Sequence, residues 1–95
     1  MTATATRWRL AAPDALHLHR WDDEVAAYDG ATGDTHLLSP IAATVVQSLR
    51  GAPATLTELT ERVTSLDDAF SPHELRRYVD LALGDLRKLG IVEPG

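Results

Sequence analysis

The chain has 95 residues, with 9 Lys or Arg against 14 Asp or Glu, a formal charge of -5 and no cysteine. That length gives a single domain, and the lack of cysteine excludes disulfides and thiolate metal sites. The acidic balance disfavours nucleic acid, whose binding needs a positive footprint to displace counterions.

No apolar run approaches the roughly 20 residues of a membrane span, and the N-terminus lacks the apolar core of a signal peptide. A cytoplasmic domain with no membrane partner is the expectation. Met1 to Thr6 is small and polar and reads as a flexible tail, leaving residues 7–95 as the domain. Arg7-Trp8-Arg9-Leu10 leaves two options: a short strand, or Trp8 lying across the core.

A turn at Ala11 to Ala15, marked by Pro13-Asp14, precedes an alternating stretch. Leu16 and Leu18 fall on one strand face and His17, His19 and Trp21 on the other. Asp22-Asp23 turns the chain into a second strand, Glu24 to Asp29. The loop from Asp29 to Gly33 has two glycines to supply the positive φ angles of a hairpin. A third strand is expected over Asp34 to Leu38.

Ser39-Pro40 reads as N-cap and first helical residue, since proline lacks a donor that this position leaves unused. Helix one runs to about Leu49 with Ile41, Val45 and Leu49 on one face, and Gly51 and Pro53 end it. Thr55-Leu56-Thr57-Glu58 is a capping box that opens helix two, whose buried stripe is Leu56, Leu59, Val63 and Leu66. Ser71-Pro72-His73-Glu74 is a second box. It opens helix three, which runs to Leu89 and stops at Gly90. Ile91 and Val92 return to the core.

On a wheel of about 100° per residue, Val79, Ala82, Leu86 and Leu89 lie within roughly 40° of Leu75 and form the core stripe. Tyr78 occupies one shoulder and Leu83 the other. Leu81 falls far off the stripe, near Arg77 and Lys88, and is either an exposed accident or part of a contact surface.

The residues offer little chemistry. His17 and His19 share a strand face, and a metal site would need His36 to join them from a neighbouring strand. Their placement fits sheet-face histidines, and neither metal nor cofactor is expected. Asp22, Asp23 and Glu24 read as a solvated charge run, and Gly30 to Gly33 lies in a hairpin, without the helix N-terminus that phosphate binding uses. The protein is not expected to be an enzyme.

A small sheet followed by helices also fits a winged helix-turn-helix, and helix three carries Arg76, Arg77, Arg87 and Lys88. Glu74, Asp80 and Asp85 interleave with them, so a mixed-charge solvent face is the better reading. Peptide capture remains: an edge strand with unpaired backbone groups accepts another strand, and Asp34 to Leu38 is the candidate. The alternative is that the N-terminal segment covers that edge.

The run Arg20-Trp21-Asp22-Asp23-Glu24-Val25, Tyr28-Asp29 and Thr32-Gly33-Asp34-Thr35-His36-Leu37-Leu38-Ser39-Pro40, with Ala42-Ala43 and Leu49, resembles the PqqD family. Leu75, Val79, Leu86 and Leu89-Gly90-Ile91-Val92 fit that family's last helix. The Gly-x-Thr-His-Leu-Leu-Ser-Pro stretch, Gly33 to Pro40, is similar to a branch found beside HPr-kinase-related systems. The likeness spans about residues 8–93 and its motifs are short.

The resemblance implies an α+β fold of a small three-stranded antiparallel sheet followed by three helices, winged-helix-like. It implies a non-catalytic peptide chaperone of natural product biosynthesis, a RiPP recognition element. Such a domain binds a precursor leader peptide on its third strand, against its third helix, and presents it to a modifying enzyme. Carried over, the peptide-binding residues are Thr35, His36, Leu37 and Leu38 on the strand. On the helix they are Arg77, Tyr78, Leu81, Asp85 and Lys88, the shoulder with the off-stripe leucine, whereas Arg76, Leu83 and Arg87 mark the other. The alternative function is a docking module for a partner enzyme, or a homodimer through the same edge.

Overall fold

The computed structural model describes residues 6–22, 24–66 and 71–95. The expectations for the tail at residues 1–5, for Asp23 and for the Leu66 side chain lie outside the described residues. Elsewhere, a three-stranded antiparallel sheet leads into three helices, and a second small sheet gathers the remaining strands.

The first sheet contains β2 (Leu16–Trp21), β3 (Glu24–Asp29) and β4 (Asp34–Leu38), in that order. Side chains alternate across a strand, so the register sorts them into two faces. Leu18, Ala27 and His36 form one inner row, and His19, Ala26 and Leu37 form an outer row. Leu16, Val25, Ala27 and Leu38 on the inner face are buried in the core.

Two turns set this register. Asp22 takes a left-handed φ of 52° between β2 and β3, a conformation that aspartate tolerates better than most residues. In the β3–β4 loop, Gly33 at φ 82° donates its N–H to the Asp29 carbonyl at 2.7 Å. The Asp29 side chain is buried, and its Oδ1 accepts the Ala31 N–H at 2.9 Å.

Gly30 departs from its expected role, because positive φ is found at Gly33 and not at Gly30. Its constraint is close approach: its N–H donates to the Ala15 carbonyl at 2.8 Å, and a Cβ there would lie 3.2 Å from that oxygen.

α1 (Pro40–Gly51) begins as expected, with Ser39 Oγ accepting the Ala42 N–H. It is buried over more of its circumference than one stripe: Ala42, Ala43, Val45, Val46 and Leu49 are all inside. The cause is its position, packed against α2, α3, β1, β3 and β4. α2 (Leu56–Leu66) opens on the reciprocal box, in which the Thr55 N–H donates to Glu58 Oε1 and the Glu58 N–H to Thr55 Oγ1.

α3 (Pro72–Lys88) is capped by Ser71, whose Oγ accepts the Glu74 N–H. It ends in a Schellman turn. Gly90 at φ 78° donates to the Arg87 carbonyl, and Ile91 donates to that of Leu86.

β1 (Arg7–Leu10) settles the first open question, since it is a strand and Trp8 is also half-buried against the core. Its partners were not expected. It pairs antiparallel with β5 (Ala54–Thr55) and with β6 (Val92–Pro94) in a sheet ordered β5-β1-β6. Gly95 closes the arrangement by donating its N–H to the Arg7 carbonyl at 2.6 Å. Ile91 and Val92 are buried, as their return to the core requires.

Candidate functional site

Among the described residues β4 pairs with β3 alone, so its other side is an open sheet edge. Among the described residues β1 does not cover it, because β1 pairs with β5 and β6. In an antiparallel ladder alternate residues turn N–H and C=O away from the neighbour. Either Thr35 and Leu37, or Asp34, His36 and Leu38, therefore offer backbone groups at this edge. Leu38 contributes no side chain to such a contact, since it is buried. His36 is half-buried on the inner face, Thr35 is exposed on the outer, and Leu37 on the outer face is 71% exposed.

α3 presents unequal shoulders. Leu83 on one of them is only 1% exposed, and Arg76 beside it donates to Thr57 Oγ1 of α2 at 2.9 Å. That shoulder is taken up by α2. The other carries Tyr78 at 41%, Leu81 at 58% and Leu89 at 41% exposure, with Asp85 and Lys88 exposed among them. Leu89 therefore departs from the expected core stripe. Helix three instead centres its buried face between Leu75 and Leu83, a rotation that draws Leu83 in and leaves Leu89 at the surface. The same rotation makes Leu89 an apolar residue of the exposed shoulder, which the wheel centred on Leu75 did not reveal.

Tyr78, Leu81 and Asp85 thus share a face, with Lys88 one turn beyond Asp85. Arg77, exposed one turn before Leu81, also lines a cavity of about 280 Å³ with Leu56, His73, Arg76 and Asp80, towards α2. β4 and α3 both pack on α1, whose half-buried Ile41 stands at the end of β4. A cavity of about 380 Å³, lined by Arg20, Asp22, Val25, Pro40, Ala43 and Thr44, lies at this same end of the sheet, where β4 runs into α1.

The histidines do not converge. His36 projects inward, while His17 and His19 are exposed on the outer face. There His17 stacks on Tyr28 with ring centroids 6.3 Å apart, and His19 meets Trp21 edge-on at 4.7 Å. Among the described residues no group of three or more His, Asp or Glu side chains is arranged to hold a metal ion. No described helix is long and apolar enough to cross a membrane.

No family model matches the sequence, and no curated protein does. The fold is similar to solved structures. TbiB1 in complex with the TbiA(beta) leader peptide superposes with a TM-score of 0.70 at 18% identity, over 90% of this chain and 94% of that one. A lasso peptide synthetase B1 complexed with the leader peptide gives 0.69 at 21% identity, over 92% of this chain and 98% of its own. At these identities the likeness establishes that the chain has the fold of those leader-bound proteins.

Proposed function

We propose that this chain is a PqqD-like recognition element, a non-catalytic domain that binds the leader of a precursor peptide by strand addition at β4 and presents it to a modifying enzyme. The observation that carries the reading is the open edge of β4, in a fold where β4 and α3 pack on the same helix α1 and α3 leaves Tyr78, Leu81 and Leu89 at its surface. Backbone hydrogen bonds at such an edge supply affinity, and side chains beside it supply selection. Two solved proteins of this fold were each captured with a leader peptide, which supports the same use here.

On this reading Thr35, His36, Leu37 and Leu38 offer the strand, Leu38 through its backbone only. Arg77, Tyr78, Leu81, Asp85 and Lys88 form the wall on α3, extended by Leu89, with Arg77 at its α2 margin. Asp85 and Lys88 fix where charged client residues fall more than they add affinity. The kinship with the branch beside HPr-kinase-related systems rests on the Gly33 to Pro40 stretch.

The test is an amide NMR titration of the labelled domain with short peptides encoded beside its gene. Shifts confined to residues 34–38 and to the exposed shoulder of α3 with its C-cap Leu89 are expected. Broadening with a neighbouring enzyme, but no shift with any peptide, would replace this reading by a docking module. An exposed apolar face bearing Trp21, Tyr28 and Leu37 is the observation that favours that second reading.

A further inference from the structure

Edge strands of natural sheets are commonly guarded by Lys, Pro or inward-pointing charges that discourage a new strand. β4 has no such guard on its outer face, where its side chains are Thr35 and Leu37. Leu37 is the most exposed large apolar residue among those described, at 71%. It is also the last member of a row, His19–Ala26–Leu37, that crosses the whole sheet. Ala26 in the middle of that row is only 5% exposed although it lies on the outer face, since every neighbour on that face is larger. The row therefore has a covered centre at Ala26 and ends at β4 in an uncovered leucine.

A strand added to β4 must continue this row. Whichever way the added strand runs, one of its residues lies beside Leu37 on the same face, with Cβ atoms about 4.5–5.5 Å apart. That residue points away from α3, because α3 packs with α1 on the inner side. We propose that Leu37 is a specificity-determining residue that selects a large apolar or aromatic side chain of the bound strand on the solvent-facing side of the sheet. This rests on the strand-addition reading. The client then carries two interleaved patterns. Residues facing α3 recur every second position, and one large apolar residue stands between them, beside Leu37.

The cause is the period of two in an extended chain, which leaves no other place for a partner of Leu37. Thr35, one pair further along the same face, stands in a row with His17 and Tyr28. Its client neighbour meets a small polar side chain and is left unselected.

The experiment is selection from a displayed library of random dodecapeptides on the full chain and on Leu37→Thr. Threonine suits a strand and replaces an exposed side chain, so thermal unfolding should be unchanged. Wild-type binders should show alternating groove-facing positions plus one fixed large apolar residue of opposite parity. Binders of Leu37→Thr should lose that residue's preference alone, and wild-type-selected peptides should bind the variant roughly three- to tenfold more weakly.

Randomness at that position in the wild-type set would overturn the inference while leaving strand addition intact. So would the same preference surviving in Leu37→Thr, or equal affinity of the two proteins. A library that yields no binder for the wild-type chain would overturn strand addition and this inference together.

Discussion

A charge placed at Leu81 tests the α3 shoulder without touching the core. The side chain is more than half exposed, and substitutions at such sites usually change stability by no more than about 0.5 kcal/mol. Leu81→Asp should therefore weaken peptide binding while the unfolding midpoint stays within that range; a large loss of stability would assign Leu81 to packing. Glu58 is a residue of another kind. Its carboxyl pKa is lowered, first by the Thr55 N–H it accepts, then by the Thr55 side chain and by the charges of Arg7 and Arg62. A group lowered in the fold binds its proton more readily when the chain is unfolded. Its stabilisation is complete above the ordinary carboxylate range and disappears as pH falls through the lowered native value. The stability difference between wild type and Glu58→Gln, followed by chemical denaturation, should be widest near neutrality and narrow in acid. A difference that does not change with pH would remove Glu58 from the account of acid sensitivity.

At the scale of the element, β4 holds two sets of backbone groups, one bonded to β3 and one facing outward, on alternate residues. Proline removes a single donor and is tolerated on an edge strand where that donor faces solvent. Of the pair His36→Pro and Leu37→Pro, one should abolish peptide binding with the circular dichroism spectrum preserved, and the other should loosen the β3–β4 ladder itself. If the variant that keeps its spectrum also keeps full affinity, the peptide does not add to β4. The elements were largely legible beforehand because their signals are local: Ser39-Pro40, the Thr55–Glu58 box, the Ser71 cap and Gly90 each satisfy exposed backbone groups within a few residues. β5 and β6 were not, since a strand of two or three residues has no period to read and forms only because β1 arrives from far along the chain. The α3 wall was half legible. Leu81 stands out of any wheel, but the few tens of degrees that exchange Leu83 for Leu89 depend on where α1 and α2 press against the helix.

The whole molecule divides its work between two sheets that share no strand. The β2-β3-β4 sheet carries the open edge, whereas the β5-β1-β6 sheet holds β1 and β6, from the first and last stretches of the described chain. The bond from Gly95 to Arg7 sets those stretches side by side. A folded protein joined after Gly95, or ahead of Arg7, should leave peptide affinity unchanged in a binding assay. The same passenger inserted at Ala31-Thr32, in the loop that feeds β4, should abolish binding; equal tolerance at all three places would contradict this division. On the proposed reading the β5-β1-β6 sheet is a handle, and the edge of β4 is a socket kept clear of it. On that reading such a unit would serve equally when fused upstream or downstream of an enzyme or when detached, with the strand-accepting edge unchanged.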